Sequence, residues 1–217
     1  MFRDFEIGSR LYDRNCTACP RLAAFLEVSR RRFPDHVCRP VPSFGDDSPW
    51  LLIAGLAPGL HGANRTGRPF TGDHAGVLLY ETLFGLGLSN QSNGSSPGDG
   101  LVLHGVRITN AVKCVPPENK PEPAEIRQCN TFLAAEIAAL PSVKVILALG
   151  RIAHDAVLMA RGRKPGAFAF AHGAEHLIDG FHLIDSYHCS RYNTQTRRLT
   201  PEMFRAVMSR AVELGHV

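Results

Sequence analysis

Short apolar runs alternate along the chain with longer stretches in which apolar residues recur at helical spacing. These patterns predict strands at 50–54, 101–104, 106–112, 143–149 and 181–187. They also predict helices over about 21–28, 73–87, 123–140 and 151–160, and a last helix that begins near Thr200. Because strands and helices alternate, we predict an α/β fold with a mainly parallel sheet covered by helices on both faces.

A glycine-rich loop, residues 55–73, connects the first predicted strand to the helix that follows it. The loop contains five glycines and two prolines, a composition typical of a backbone that approaches a ligand closely. Ligands of open α/β sheets bind at such loops, because backbone N–H groups and the helix dipole converge there. An ordinary surface loop in which Asp73 caps the helix explains the pattern equally well.

Other polar groups follow the ends of later strands, at 110–114, Gly150 and 188–196. In a parallel sheet these strand ends share one edge, so the sequence predicts a single cleft there. The Asn110 amide has a donor and an acceptor for the edge of a base, and Phe70 offers a surface for stacking. Each residue also has a plainer explanation: a turn for Asn110, core packing for Phe70 and a structural role for His188.

The cysteines are a second candidate for chemistry. Cys16 and Cys19 form a C-x₂-C pair, and Cys114 and Cys129 supply two more thiols. Four cysteines suit zinc or an iron–sulfur cluster, and the presence of one tight pair rather than two favours the cluster. Reduced structural cysteines are the alternative.

The totals narrow the class of protein. The hydrophobic share of 44% and the charged share of 20% are typical of a soluble globular protein, and 217 residues suit one domain. The net charge of +4 permits contact with a polyanion without requiring it. The N-terminal residues lack the apolar segment of a signal peptide, and no apolar run reaches membrane-spanning length. We therefore expect a cytoplasmic protein without a membrane anchor.

Three long motifs identify a family that the chain resembles. They are Gly55-Leu-Ala-Pro with Gly62-Ala-Asn64-Arg-Thr-Gly-Arg-Pro-Phe70-Thr-Gly-Asp73, then Thr109-Asn110-Ala-Val-Lys-Cys114, and His188-Cys-Ser190-Arg-Tyr-Asn193. In this order they resemble the uracil-DNA glycosylase superfamily, most closely family 5, the type b enzymes of bacteria and archaea. The resemblance extends from Cys16 to Leu199.

The resemblance implies a fold and an activity. The fold is a three-layer α/β/α sandwich around a mainly parallel four-stranded sheet, formed by a single domain over 1–217. A segment at about 9–32 helps to hold a [4Fe–4S] cluster, whose ligands are Cys16, Cys19, Cys114 and Cys129. The activity is hydrolysis of the N-glycosidic bond of uracil, and also of hypoxanthine or xanthine, in double- or single-stranded DNA. We expect a monomer inside a bacterial or archaeal cell.

The resemblance also implies roles for individual residues. Asp73 stabilises the sugar and orients water, a role that family 4 assigns to an acidic residue where this chain has Leu56, and His188 stabilises the leaving base. No covalent nucleophile or lyase lysine is implied. The other implied residues bind the base (Gly55, Ala57, Asn64, Phe70, Asn110) or the DNA (Ser190, Arg191, Tyr192, Asn193).

Two departures from the type b pattern accompany the match. Gly59 stands where alanine is frequent, and Cys189 stands where proline is usual. The second puts the shape of the loop that probes DNA in doubt. Two other readings remain: a catalytically silent iron–sulfur module that binds lesions, and a nucleotide-binding enzyme, which lacks a P-loop lysine and the dinucleotide glycine spacing.

Overall fold

A computed structural model describes residues 12–216. The expectations for the N-terminal residues 1–11, including the start of the 9–32 segment, lie outside the described residues. The helices are α1 Pro20–Arg32, α2 Ala63–Thr66, α3 His74–Gly85, α4 Pro123–Ala139, α5 Arg151–Ala160, α6 Arg191–Gln195 and α7 Pro201–Gly215. The strands are β1 Phe44–Gly45, β2 Leu51–Gly55, β3 Val106–Asn110, β4 Val145–Leu149, β5 Glu175–Ile178 and β6 Phe181–Ser186.

The strands form one sheet of six in the order β1-β3-β2-β4-β6-β5. The central four, β3, β2, β4 and β6, are parallel to their neighbours, whereas β1 and β5 pair antiparallel at the two edges. The predicted α/β fold with a mainly parallel sheet is therefore confirmed, and the four-stranded sheet is its parallel core. The edge strands escaped prediction because β1 has two residues and three of the four residues of β5 are not buried.

The strand predicted at 101–104 is wrong. There Leu103 forms an isolated antiparallel bridge to Ser89. Its neighbour Val102 donates its N–H to the Asn90 side chain at 2.8 Å, and His104 donates to the Leu88 carbonyl at 2.9 Å. These bonds tie the segment to the loop after α3 and not to the sheet.

The core lies on both faces of the sheet because successive strand residues point to opposite sides. One face packs against α3 and α7 through residues such as Leu79 and Phe204, and the other against α4 and α5 through residues such as Leu133 and Val157. All five residues of β2 and of β4 are buried, which explains their continuous apolar runs. The predicted three-layer sandwich is thus the observed one.

Helix caps and loops carry the candidate residues to one edge of the sheet. Thr200 caps α7 and Pro201 occupies its first turn, as predicted. The glycine-rich loop, 110–114, Gly150 and 188–196 all follow the carboxyl ends of parallel strands, where clefts form in such sheets. Among residues 12–216 no helix has the length and apolar character to cross a membrane.

Candidate active site

A cavity of about 360 Å³ opens at this edge of the sheet. It is formed by the glycine-rich loop, the start of α3 and the segments after β3 and β6. Residues that line it are Leu56, Ala57, Pro58, Gly59, Ala63, Phe70, Asp73, His74, Ala75, Asn110, Asn119, His188, Ser190 and Arg191. The predicted convergence is confirmed for three of the four strand-end segments, whereas Gly150 does not line the cleft that Asp73 and His188 share.

Asp73 has two separate environments for its two carboxylate oxygens. Its Oδ1 accepts a hydrogen bond from the N–H of Gly76 at 3.0 Å, so Asp73 does cap α3. Its Oδ2 has no hydrogen-bond partner in the described part of the chain. A Cβ on Gly62 would lie 2.3 Å from Oδ2, so the backbone there can approach the carboxylate because residue 62 is glycine. The hydrogen bond from Gly76 therefore orients the Asp73 carboxylate, and its second oxygen stays available to the cavity.

His188 follows β6, and its ring stacks on Phe70, with the centroids 5.9 Å apart and the planes at 27°. Burial lowers the pKa of His188, and the nearby charge of Asp73 opposes this without reversing it. The imidazole is therefore neutral near pH 7 and has one N–H to donate. Asn193 donates its side-chain amide to the His188 carbonyl at 2.8 Å and so fixes the backbone that carries the ring.

Phe70 and Asn110 form one wall of the cavity over Gly55. A Cβ on Gly55 would lie 2.5 Å from Asn110 Oδ1 and 2.9 Å from Phe70 Cζ, so only glycine lets the amide and the ring meet above β2. Phe70 also has a φ of 51°, an unfavourable value for an aromatic residue. Gly55 is not among the lining residues. Its part is to make room for the two that are.

An ion pair beneath the cavity holds the strained turn at Phe70. Arg68 donates two hydrogen bonds to Asp99, at 2.9 and 2.7 Å, and one to Thr71 at 2.8 Å. The Arg68 and Asp99 side chains are 5% and 10% exposed. Tyr80 supports the same turn by donating to the Pro69 carbonyl at 2.8 Å. The polar 89–100 loop thus stabilises the cavity wall through Asp99.

We expect Asp99→Asn to lower the free energy of unfolding at pH 7 by about 1.5–3 kcal/mol, the usual contribution of a hydrogen bond to a charged group. Hydrogen bonding to Arg68 lowers the pKa of Asp99 in the folded state. Its contribution is therefore complete above the ordinary carboxyl pKa of about 3.9 and is lost as the pH falls below that value. Urea unfolding of the wild type and of Asp99→Asn at pH 7 measures the loss of stability. The same comparison at pH 3 measures how much of the difference disappears when the pH falls.

Asp47→Asn is the matched control for that measurement. The Asp47 carboxylate also pairs with an arginine, Arg107, but its side chain is fully exposed. Its loss should change stability by less than about 1 kcal/mol. Equal effects of Asp47→Asn and Asp99→Asn would contradict a special role for the buried pair.

Some predicted site residues lie elsewhere. Asn64 is fully buried, and its amide donates to Cys38 Sγ and to the Leu60 carbonyl, both at 3.4 Å. It is not among the residues lining the cavity, so its position does not support the predicted contact with the base. The Asn193 side chain donates to the His188 carbonyl within the protein, and its predicted contact with DNA stays a prediction. Both side chains stabilise loops of the site through hydrogen bonds within the protein.

The other predicted DNA-contacting residues lie at the mouth of the cavity. Ser190 caps α6 by accepting from the Asn193 N–H, and it lines the cavity together with Arg191. Tyr192 is the next residue and is 71% exposed. The exposed phenol ring can stack on a planar group, and the guanidinium can pair with an anion.

Two lining residues were missed by sequence reasoning. His74 follows Asp73, and its Nε2 lies 2.9 Å from Thr194 Oγ1, which links α3 to α6. Asn119 reaches the cavity from the proline-rich turn, where it and Glu118 have φ of 56° and 54°. Asn in such a turn was a usable signal, since Asn tolerates left-handed backbone. Nothing in the local sequence indicated the position of His74.

The four cysteines of the predicted cluster meet at one place. Cys16 and Cys19 precede α1, Cys114 follows β3 and Cys129 lies on α4, and together they line a second cavity. None of the six cysteines is in a disulfide. Burial and the charges of the neighbouring thiols raise the pKa of Cys19 to about 11 and that of Cys114 to about 12. Ligand thiolates in this place would need a positively charged group to stabilise them.

The spacing of these sulfurs also bears on what they could hold. Tetrahedral zinc places its sulfur ligands roughly 3.8 Å apart. Among residues 12–216, no three cysteine sulfurs lie within 4.8 Å of one another. As they stand in the structure, these sulfurs are therefore too far apart for three of them to ligate one zinc ion. The Lys113 N–H also donates to Cys129 Sγ at 3.2 Å, a contact typical of cluster sulfurs.

Arg21 connects this cysteine segment to the proline-rich turn. It lies on α1, two residues after Cys19, and donates to both oxygens of Glu125 at 2.8 and 2.7 Å. It also donates to the Lys120 carbonyl at 3.1 Å, next to Asn119. Arg21 therefore links the cysteine segment to the residue next to the cavity-lining Asn119 by a hydrogen bond.

A cleft at the carboxyl edge of a mainly parallel sheet, with a carboxylate and a neutral imidazole in it, is typical of a base-excising hydrolase of the α/β class. A family model described as the uracil DNA glycosylase superfamily matches residues 42–211. The chain belongs to the uracil DNA glycosylase superfamily, whose members are N-glycosyl hydrolases.

Relatives narrow the likeness further. A Type-5 uracil-DNA glycosylase of Thermus thermophilus is 51% identical over 92% of this chain and 94% of its own length. Proteins with the same name from Mycobacterium leprae and Pyrobaculum aerophilum are 43% and 41% identical, over 93% and 91% of this chain and 92% and 88% of their own lengths. A Type-4 uracil-DNA glycosylase of Pyrobaculum aerophilum is 35% identical over 70% of the chain. The resemblance to family 5 read from the motifs is confirmed.

Proposed function

We propose that this protein hydrolyses the N-glycosidic bond of uracil in DNA and thereby starts base excision repair. It is proposed to act as a monomer. One observation carries the proposal. Asp73 of the first motif and His188 of the last motif line one cavity of about 360 Å³, which Phe70 and Asn110 also line. Hypoxanthine and xanthine are proposed as further substrates, because the resemblance to the type b enzymes implies that purines are tolerated.

The target nucleotide must leave the helix to reach Asp73. Its extrusion costs about a few kcal/mol, less for damaged or mismatched pairs. Tyr192 and Arg191 are exposed at the cavity mouth, where they can fill the gap in the duplex and contact phosphate. The Ser190 hydroxyl, also at the mouth, supplies a polar contact to the backbone.

The extruded base stacks on Phe70 and pairs with the buried amide of Asn110. Backbone groups of Ala57 and Pro58 line the same wall. These contacts hold the base in one orientation, which places its glycosidic bond between the two titratable groups. Orientation of this kind supplies a large part of the rate enhancement in many enzymes.

Bond cleavage leaves negative charge on the base and positive charge on the sugar. The neutral imidazole of His188 donates a hydrogen bond to the base, and the Asp73 carboxylate stabilises the sugar cation. The free Oδ2 of Asp73 then orients the attacking water. Water supplies the oxygen, so no covalent intermediate with the protein is required.

The lysine next to the site is not available as a nucleophile. Lys113 is 3% exposed, and its ammonium group donates to Thr109 and Glu136. Glu136 is buried on α4 and is ionised, because the charge of Lys113 and its hydrogen bonds outweigh burial and lower its pKa to about 2. A lysine held in a buried ion pair cannot form the Schiff base of a lyase. Lys113 is therefore excluded as a lyase nucleophile, and the enzyme is proposed to be monofunctional.

Cys16, Cys19, Cys114 and Cys129 are proposed to hold a [4Fe–4S] cluster. The shared cavity supports this, as does the finding that, among residues 12–216, no three cysteine sulfurs are close enough to ligate one zinc ion. When bound, the cluster supplies positive charge to four thiolates, two of them buried, and joins the segment before α1 to the 114–129 region. Its place outside the first cavity makes it a structural group rather than a reactant.

A single-turnover excision assay tests the proposed activity. Duplexes that contain uracil, hypoxanthine or xanthine opposite each normal base are incubated with excess enzyme, beside a matched undamaged duplex. We expect uracil to be released and the abasic strand to remain intact until alkali is added. Tight binding of the uracil duplex without release would instead indicate a catalytically silent lesion-binding module.

Iron content tests the proposed cluster. We expect Cys16→Ser to lose most of the iron and sulfide that the wild-type protein binds when purified without oxygen, since a hard oxygen ligand replaces a soft thiolate. Cys38→Ser is the matched control, because Cys38 is buried beside Asn64 and does not line the four-cysteine cavity. Equal iron loss in both variants, or none in Cys16→Ser, would contradict the ligand set.

A further inference from the structure

A second cluster of polar side chains lies in the apolar layer on the far side of the sheet from α3. It consists of His154 on α5, His176 on β5 and Asp185 on β6. None of the three lines the active-site cavity or touches the cysteine site. His154 and Asp185 are fully buried, and the His176 side chain is 17% exposed. The chemistry of excision gives these buried groups no task.

We propose that His154, His176 and Asp185 bind a divalent transition-metal ion such as Zn²⁺. One ligand atom from each residue lies within 4.8 Å of the other two. His154 Nδ1 lies 2.7 Å from Asp185 Oδ1, and His176 Nε2 lies 3.7 Å from Asp185 Oδ2. Ligands of a tetrahedral zinc ion with bonds of about 2.0–2.2 Å stand roughly 3.4 Å apart, so small side-chain shifts would close this set around one ion.

Two orphaned atoms give independent support. Within residues 12–216, Asp185 Oδ2 and His176 Nε2 are buried and have no hydrogen-bond partner. A buried carboxylate oxygen without a partner is costly, and native structures rarely retain one. An ion between the two atoms would satisfy both at once.

The surroundings of His154 are those of a metal ligand. Its Nε2 lies 3.1 Å from the Phe168 carbonyl. In the structure Nδ1 donates to Asp185 Oδ1, and a metal ion bound there would displace that proton while Nε2 keeps its own and donates to the Phe168 carbonyl. A ligating histidine typically donates its other N–H in this way. The Phe168 and Phe170 rings each lie within 6 Å of one of the histidines and partly shield the site from solvent.

The choice of zinc follows from the donor set. Two imidazole nitrogens and one carboxylate oxygen are zinc ligands, and a water molecule can supply the fourth position. Such an ion would join edge strand β5, helix α5 and strand β6, which ends two residues before His188. Its role would be structural.

Zinc binding to the full-length, iron-loaded protein tests the proposal. The protein is treated with EDTA, loaded with ZnCl₂ and dialysed, and zinc per chain is measured beside the X-ray absorption at the zinc edge. We expect one zinc per chain with nitrogen or oxygen neighbours at about 2.0–2.1 Å. Sulfur neighbours at about 2.3 Å would place the metal on cysteines and overturn the assignment.

His176→Gln is the decisive variant, and it should still excise uracil because His176 lies outside the active site. We expect its zinc affinity to fall by more than about 10–100-fold, the loss that an outer-shell partner alone can cause. His104→Gln changes an exposed histidine and is the matched control. Asp185→Asn should repeat the loss with a different ligand removed.

Unchanged zinc binding in His176→Gln and Asp185→Asn would overturn the proposal. So would the failure of the wild-type protein to bind zinc at all. In that case His154 and Asp185 form a hydrogen-bonded pair only, with the imidazole doubly protonated between Asp185 and the Phe168 carbonyl. Neither outcome affects the proposed glycosylase activity, which depends on other residues.

Discussion

Asp73→Asn is expected to slow the single-turnover excision of uracil by about 10²–10⁴-fold, the range for loss of a positioned acid–base group. Asparagine keeps the side-chain oxygen that accepts from the Gly76 N–H, and Asn is as good a helix cap as Asp. The variant therefore removes the charge near the sugar and leaves α3 intact. Rates under enzyme excess and the melting temperature, measured together, separate the two roles.

Asp73→Ala is the matched control for this separation. It removes both the charge and the cap, so it should lose the same activity and in addition about 1 kcal/mol of stability. If Asp73→Asn excises uracil at the wild-type rate, the carboxylate has no part in the reaction. If Asp73→Asn melts as early as Asp73→Ala, the cap is not the source of the stability difference.

His188→Ala is expected to slow excision by about 10²–10³-fold, the usual effect of removing one well-placed donor to a developing anion. His61→Ala, an exposed histidine on the glycine-rich loop that does not line the cavity, should excise normally. The iron content of both variants should match the wild type, because neither residue lines the cavity of the four proposed cluster cysteines. Normal excision by His188→Ala would remove the imidazole from the mechanism.

The pH profile distinguishes which form of His188 acts. Burial lowers its pKa below the ordinary value, so the ring is mainly in the neutral form at pH 7 and becomes more so as the pH rises. The His188-dependent part of the rate should therefore be level between about pH 7 and 9. A rate that falls through the ordinary histidine pKa near 6.5 as the pH rises would show that the imidazolium is the active form.

The sequence allowed much of the fold to be predicted because the central strands are buried on both faces. β2 and β4 show as continuous apolar runs, and the helices that cover them show as regular apolar spacing. Edge strand β5 could not be found in this way, because half of its residues face solvent and its pairing partner lies in β6. At 101–104 the pattern was apolar, but the pairing that decides between strand and loop is a tertiary contact with the 88–90 segment.

Prediction of the site succeeded where motifs and strand ends coincide. Asp73, Phe70, Asn110 and His188 all follow parallel strands, so their meeting is a property of the topology. Asn64 shows the limit: it belongs to the same motif, yet its amide turns inward to Cys38 and Leu60. The His154–His176–Asp185 cluster shows another limit, because its members lie far apart in sequence and share no motif spacing.

The glycines of the 55–73 loop affect how substitution data on this enzyme should be interpreted. A methyl group on Gly55 would collide with Asn110 and Phe70, and one on Gly62 would collide with the Asp73 carboxylate. Neither clash involves DNA. If alanine is not tolerated at these positions, the cause would be the lack of space for a side chain there. A mutational map that scored them as contact residues would overestimate the protein surface that the nucleic acid covers.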